Sequence, residues 1–411
     1  MPWTGLALLL TLIECCILLL SGYIILRFHE SFCASILTAP SLLPLPKKAS
    51  SLPSIAVIIP AYNEAVNLAD CTMAVLQSDL PDPQQLRVYI ADDESTDATG
   101  AIAQALAAQD ARVQVIAVPP RPVQEKWMGK NWACTQAAAQ AQADYLLFID
   151  ADVRLKPAAI ATALATAHTH QVDLLSCMPQ IVCGCLSEWL VQPLMFRLLM
   201  SGFNVKAVND PAQPDVAFAA GPFMLFRRAA YVQIGGHRGV ADDLVEDVAL
   251  ARRIKAAGLT MRLSLGLDVM QVRMYRSFAA LWEGWTKNMH LGSQRRLSST
   301  LTVALIAACV LTVPWLGVGV GVLSLWLSPI TSFWSLGIVV FSAALLLLES
   351  ILWRRQAQLV QQPVRYWWLS WLGGLLVAAI AIASIIKTET GWGWTWRGRS
   401  LSLPSHAQAD P

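Results

Sequence analysis

Residues 145–152 read Tyr145-Leu146-Leu147-Phe148-Ile149-Asp150-Ala151-Asp152. Five bulky apolar residues in a row, flanked by polar ones, predict a short strand buried on both faces. Two carboxylates two residues apart follow directly at its end. Upstream, Ser54–Ile59, Arg87–Ala91 and Arg112–Val118 have the same β-branched character, and Val172–Met178 follows downstream. Between them, Thr96–Gln109, Asn131–Ala143 and Pro157–His168 are Ala-rich and predict helices. Strands alternating with helices at this spacing predict a mostly parallel, Rossmann-like α/β sheet. Ligands of such sheets bind beyond the carboxyl ends of the strands.

Three of those ends are polar. The first strand runs into Pro60-Ala61-Tyr62-Asn63-Glu64, the second into Asp92-Asp93-Glu94-Ser95-Thr96-Asp97, and the fourth into Asp150-Ala151-Asp152. Acids gathered in one crevice suit recognition of a ribose or a base. They also suit a hard divalent cation, Mg2+ or Mn2+, shared with a diphosphate. Alone, an Asp-x-Asp pair is weak, since acids also cap helices and solvate turns. Shared with two other acidic strand ends, it points to a site. Glu246-Asp247 opens a predicted helix, Glu246–Ala257, ended by Gly258. Charge at a helix N-terminus is one reading, and a general base for an acceptor hydroxyl is the other. Asp242 and Asp243 stand just before and are expected to raise its pKa, or to be a solvated loop. The chain contains no GxxxxGK[ST], GxGxxG or GxSxG motif.

The remainder is strongly apolar. Of 411 residues, 14% are charged and 55% apolar, which excludes a disordered chain and argues against a fully soluble enzyme. A net charge of +2 gives no basic surface for nucleic acid, so none is expected as a partner. Nine Cys form no CxxC pair and read as reduced apolar residues. The apolar excess lies at the two ends. Gly5–Leu26 is long enough to span a bilayer, and Arg27, Lys47 and Lys48 follow it. Leu297–Leu348 carries no charge and holds two spans with a turn near Ser328-Pro329; Tyr366–Ile386 is a third uncharged run. Twelve of the 16 Trp lie from Trp282 onward, as in interfacial belts. Three C-terminal crossings put the tail opposite the middle domain, whereas Arg354, Arg355, Arg365, Lys387, Arg397 and Arg399 favour the cytosolic side. A re-entrant hairpin bent at Gly373-Gly374 is the alternative for the last run.

Together these residues resemble glycosyltransferase family 2, inverting enzymes of the GT-A fold. The matches are Pro60–Glu64, Asp92-Asp93-x-Ser95-x-Asp97, Lys130 with Trp132, Asp150-Ala151-Asp152, Gly221-Pro222-Phe223 with Arg227, Gly235-Gly236 and Glu246-Asp247, over roughly 53–296. The membrane layout is similar to the branch acting on hydrophobic acceptors, which includes ceramide and hopanoid-associated enzymes. Arg273-Met274-Tyr275, Gly284-Trp285-x-Lys287-Asn288 and the tail Trp396-Arg397-Gly398-Arg399 are most like carotenoid glycosyltransferases.

The resemblance implies a GT-A catalytic domain with one N-terminal and about three C-terminal transmembrane or re-entrant segments. The expected boundaries are a helix to residue 28, a linker over 29–52, a catalytic domain over 53–296 with an interfacial helix at 278–292, and membrane segments near 299–327, 331–352 and 366–386. A tail over 392–411 ends the chain. The resemblance also implies site roles. Asp247, beside Glu246, would be the catalytic base. Pro60, Ala61, Tyr62, Glu64, Asp92, Asp93, Lys130 and Asp150 would hold the donor nucleotide, and Asp152 the metal. Gly221, Pro222, Phe223 and Trp285 would face the acceptor. The implied partners are a UDP- or GDP-sugar, a hydrophobic membrane acceptor and the bilayer. The implied location is a bacterial-type inner or thylakoid membrane, crossed several times, with the catalytic domain cytosolic.

A single sugar moved to a carotenoid hydroxyl is the leading expectation; glycolipid synthesis and a processive polysaccharide synthase follow. Gln271-Val272-Arg273-Met274-Tyr275 stands where processive members carry QxxRW, and it lacks the Arg-Trp pair. Phe278–Gly292 suits an acceptor entrance or a simple membrane anchor, and Leu186–Gly202 a core or an acceptor wall.

Overall fold

A computed structural model describes residues 2–44, 52–327 and 332–401, with 2–12 and 332 by backbone alone. Lys47, Lys48, the Ser328-Pro329 turn and residues 402–411 lie outside the described residues. The chain divides into two compact units. One comprises residues 1–37, 183–202 and 275–396, and the other 38–182, 203–274 and 397 onward. The expected 53–296 domain is therefore interrupted: 183–202 and 275–296 cluster with the helical unit.

In chain order, α1 (Pro2–Thr38) leads into β1 (Ile55–Ala61), α2 (Leu68–Leu76), β2 (Leu86–Asp92), α3 (Thr99–Gln109), β3 (Val113–Ala117), α4 (Gly129–Gln140) and β4 (Tyr145–Ile149). Then come β5 (Val153–Leu155), α5 (Ala159–Thr169), β6 (Leu174–Met178), β7 (Gln180–Ile181), α6 (Leu186–Gly202) and α7 (Val205–Val208). β8 (Phe223–Arg227), α8 (Arg228–Gln233), α9 (Glu246–Ala256), β9 (Met261–Leu265), β10 (Met270–Val272) and α10 (Phe278–Gly292) follow. Three long helices follow, α11 (Leu297–Leu327), α12 (Ser332–Leu359) and α13 (Ser370–Thr390), and a two-stranded ribbon of β11 (Thr395–Trp396) and β12 (Arg399–Ser400) ends the series. α1 runs ten residues past the expected boundary at 28, into what was read as linker.

The other unit is built on a seven-stranded sheet of order β3-β2-β1-β4-β8-β6-β9. All its pairings are parallel except those of β8, which runs antiparallel to both β4 and β6. Ile55, Val57, Ile59, Leu147, Ile149, Phe223 and Leu225 form its core with Leu164 and Ala163 of α5. A small second sheet, β5-β10-β7, was not foreseen, because strands of two or three residues carry no readable period. Lys255 on α9 ties down the loop before β8. Its buried ammonium lies within hydrogen-bond reach of the carbonyls of Ala207, Val208, Asp210, Gln213 and Val216, at 2.7–3.3 Å.

The helical unit contains four helices long and apolar enough to cross a membrane, within α1, α11, α12 and α13. Their relative directions follow from what packs together. Leu18 sits with Ile338, Leu345 and Val313, whereas Ile25 sits with Leu352, Ile306 and Val310. α11 therefore runs antiparallel to both α1 and α12. α13 also runs antiparallel to α11. It starts level with Thr312 and Trp315, halfway along α11, where Trp315 Nε1 meets Ser370 Oγ at 3.4 Å. It passes Ala304 at Ala378 and Ala381 and ends at Glu389, paired with Arg295 at 2.6 Å. Gly373 and Gly374 do not bend it: the helix is continuous through them. They let backbone approach instead, since a Cβ on Gly374 would collide with Ala307 O and one on Gly373 would lie 2.5 Å from Leu190 O. The chain reverses earlier, between α12 and α13.

Candidate active site

Pairing of β1 with β2 sets Ala61 beside Asp92, and pairing of β4 with β8 sets Ile149 beside Phe223. The ends of β1, β2 and β4 and the start of antiparallel β8 thus share one edge. Side chains lock the loops there. Asn63 Oδ1 accepts from Thr96 N–H at 2.9 Å, and the Asn63 N–H is donated to Ser95 Oγ at 2.9 Å. The Glu64 N–H reaches Thr99 Oγ1 at 2.8 Å, and Asp92 Oδ1 accepts from Ser95 N–H at 3.2 Å. The Asp93 N–H is donated to Ala61 O at 2.9 Å; the Ala61 side chain itself is in the core.

Asp247 reaches this edge from the first turn of α9. Its Oδ2 accepts the Gly221 N–H at 2.9 Å, just before β8. A Cβ on Gly221 would stand 3.0 Å from that oxygen, so a side chain here would crowd the carboxylate. Burial, then the neighbouring Glu246, push the Asp247 carboxyl up to about 7, against the pull of Lys130. The neighbour is Glu246, rather than the expected Asp242 and Asp243, whose loop is held through its carbonyls by Asn131 Nδ2.

Lys130, on the first turn of α4, joins the two halves of the site. Its Nζ lies 2.6 Å from Asp150 Oδ1 and 2.7 Å from Glu246 Oε1. Burial opposes its charge, but these two carboxylates hold its pKa well above the ordinary lysine value. Asp152 has no such partner. Its Oδ1 is buried without a hydrogen bond, and burial, with Asp150 and Glu64 nearby, raises the carboxyl to about 8. A carboxylate disfavoured by desolvation and like charge is one that a divalent cation would relieve. Among the described residues no three His, Cys, Asp or Glu side chains form a metal cage, so a cation here would need further oxygens from a ligand such as a diphosphate.

Two expected site residues lie elsewhere. Phe223 is fully buried in the sheet core, because the first residue of a central strand has no free face. Trp285 belongs to the helical unit, where it is buried and donates its indole N–H to Gln192 Oε1 at 2.6 Å. Pro60 and Pro222 are half-buried at the edge. Arg227, matched together with Gly221-Pro222-Phe223, pairs with Asp173 at the opposite end of the sheet. Lys287, of the Gly284-Trp285-x-Lys287-Asn288 stretch, lies 4.3 Å from the Trp396 ring centroid.

Two side chains at the edge were read from sequence only as tail and sidedness signals. Arg397 pairs with Glu64 Oε1 at 2.5 Å and donates to Tyr62 O at 2.7 Å. Arg399 lies 3.6 Å above the Tyr62 ring, pairs with the Asp93 carboxylate and donates to Asp93 O at 2.8 Å. Burial raises the Asp93 carboxyl, and Arg399 opposes it.

Comparison with known proteins places this geometry. Residues 56–235 match the family model for "Glycosyl transferase family 2". A 4,4'-diaponeurosporenoate glycosyltransferase of Staphylococcus haemolyticus is 28% identical over 244 residues, covering 58% of this chain and 62% of that protein. The namesake in Staphylococcus aureus gives the same figures, so the match spans less than two thirds of these relatives' length. Among solved structures, a mannosyltransferase from Pyrobaculum calidifontis in complex with GDP-Man and Mn2+ superposes with a TM-score of 0.52 at 18% identity, covering 94% of this chain and 99% of that one. The sheet order, the polar strand ends and the matches agree: residues 56–235 are similar to family 2 glycosyltransferase domains, and the fold is GT-A-like.

Proposed function

We propose that the protein transfers one sugar, with inversion, from a UDP- or GDP-sugar to a hydroxyl of a hydrophobic acceptor dissolved in the membrane, a carotenoid above other lipids. The observation that carries this reading is Asp247. A carboxylate poised near 7, aimed by a backbone N–H, is suited to take a hydroxyl proton at neutral pH. The acceptor oxygen forms its bond to the anomeric carbon as the bond to the diphosphate oxygen breaks. The proton moves to Asp247, and the electron pair leaves with the nucleoside diphosphate. Glu246 and Asp150 orient Lys130 between the two events. Tyr62, Glu64, Asp92 and Asp93 line the nucleoside side. Asp152, with Asp150 beside it, would hold a Mg2+ or Mn2+ ion, which when bound supplies charge neutralisation to the departing diphosphate.

The name of the Staphylococcus relatives' acceptor is that of a carboxylate. A carboxylate acceptor is already ionised and has no use for a base, so the Asp247 geometry favours a hydroxyl. Mass spectrometry of pigments and lipids after gene deletion tests the reading. Loss of one alkali-stable carotenoid glycoside, with its aglycone accumulating, is the expected result. An alkali-labile product would move the acceptor to a carboxylate, loss of a glycolipid would move it to a lipid, and no change would overturn the reading.

For the membrane we propose three crossings, by α1, α11 and α12. α13 enters no further than mid-length of α11 and returns to the side where α11 begins. This arrangement reconciles the charges: Arg27, Arg354, Arg355 and Lys387 fall on one side, as the positive-inside rule requires of the cytosol.

A further inference from the structure

We infer that the helical unit holds, among α1, α6, α11 and α12, a binding site for the hydroxyl end of an apolar molecule, built on Arg197 and Glu349. The inference concerns binding alone and holds whether or not such a molecule is the sugar acceptor.

Arg197 on α6 and Glu349 on α12 are both buried. Glu349 lies within the apolar stretch Phe333–Leu359, where an ionisable group is costly and points to a function. Each acts on the other's charge. Yet Arg197 Nε and Nη1 and both Glu349 oxygens are buried with no hydrogen-bond partner among the described residues. The Ser370 hydroxyl and the Trp353 indole stand near Glu349 without completing a hydrogen bond to it. The Arg197 guanidinium lies 4.6 Å from the Trp353 ring centroid and 5.9 Å from that of Phe28. Ring faces hold its position and leave its N–H groups unused.

Both side chains line a cavity of about 30 Å³, walled by Ile25, Leu194, Ile306, Val310 and Leu311. That volume admits one or two groups the size of a water molecule. Donors from one side chain and acceptors from the other select the occupant. A hydroxyl accepts from Arg197 and donates to Glu349 at once. A carboxylate would satisfy Arg197 but meet the like charge of Glu349, an ammonium would do the reverse, and an alkyl end would satisfy neither. Water shares the hydroxyl's chemistry, but the walls are apolar. Beside them Leu20 and Tyr23 of α1 and Leu305 of α11 are exposed. The polar end of a membrane-dissolved molecule fits the cavity while its body lies along those flanks.

The test is photo-crosslinking of the full-length protein in phosphatidylcholine nanodiscs. The probes are hexadecanol, hexadecanoate and hexadecane, each with a diazirine near one end, the polar end where there is one. The alcohol should label peptides holding Ile24–Phe28 and Ile306–Leu311 about tenfold more than the other two, and excess plain hexadecanol should suppress it. Glu349→Gln keeps the hydrogen-bonding group and removes the charge, so hexadecanoate should then label as strongly as the alcohol. Arg197→Met combined with Glu349→Leu should lose the preference for the alcohol while melting no lower than the wild type, since apolar residues replace two buried ions. Labelling by the alcohol no stronger than by the alkane or the acid overturns the inference. Absence of labelling at these peptides also overturns it and gives the cavity to water. A preference kept by the double variant overturns the assignment to Arg197 and Glu349. If that variant does not fold, Glu349→Gln decides alone, and continued exclusion of hexadecanoate overturns the inference.

Discussion

The two ends of the catalytic sheet treat the same residue type in opposite ways. At the amino ends of the strands, Asp173, Asp144 and Asp110 are held by partners that the fold itself supplies. Asp173 accepts from Arg227 Nε at 2.8 Å and from Thr260 N–H at 2.9 Å. Asp144 accepts from the N–H and hydroxyl of Ser54 at 3.0 and 2.7 Å, and Asp110 pairs with Arg112 two residues on. At the carboxyl ends the acids face one another. Cations from distant parts of the chain meet them, and one oxygen of Asp152 has no hydrogen-bond partner among the described residues. The first arrangement is complete without a ligand, and the second is not. Carboxylates at the amino end therefore contribute stability, and those at the carboxyl end cost some of it for the sake of chemistry.

Substitutions should separate the two ends. The largest effect belongs to Asp247→Asn, which should lower kcat by about 10²–10⁴-fold with nucleoside diphosphate affinity intact. Retained turnover in a single-turnover assay would remove the base from the mechanism. Asp173→Ala, at the other end, should destabilise the protein by about 1–3 kcal/mol through the unpaired Arg227 and Thr260 N–H, with kcat per folded molecule unchanged. Chemical denaturation beside an activity titration checks both halves.

Asp152→Asn should do the reverse of Asp173→Ala. Without metal it should raise the unfolding midpoint by about 2–4 °C, the effect of roughly 1 kcal/mol in a domain of this size. It should also abolish the further rise on adding Mn2+. The pH dependence has a fixed sign. A carboxyl raised from 3.8 to about 8 binds a proton more tightly in the folded state, so metal-free stability falls as pH rises through that window. The Mn2+-induced shift should therefore grow with pH up to about 8 and level off above it; a shift independent of pH would exclude Asp152 as ligand. The smallest effect is expected of Arg112→Ala, whose half-exposed pair with Asp110 should contribute under about 1 kcal/mol.

The strands and the acidic ends were legible because both are local. β4 matches the quoted Tyr145–Ile149 run, and α10 spans Phe278–Gly292 as read. The direction of β8 was not legible, since side-chain alternation does not encode which neighbour a strand pairs with. Lys130 was visible only as part of a motif; its contacts with Asp150 and Glu246 depend on how α4 and α9 meet the sheet. Arg399 and Asp93 are 306 residues apart, a separation at which no periodicity carries information. Phe223 and Trp285 were misjudged for a related reason: an aromatic near a motif is as often core as surface, and burial decides between them.

Lys255 has one more implication. The stretch from Ala207 to Val216 has little regular structure of its own beyond the end of α7, and its carbonyls converge on one ammonium. Burial lowers the pKa of that ammonium below the ordinary lysine value. Deprotonation would leave one lone pair facing several others. In mildly alkaline solution this loop should open before the sheet does, and amide hydrogen exchange would show it as a separate local transition governed by a single proton.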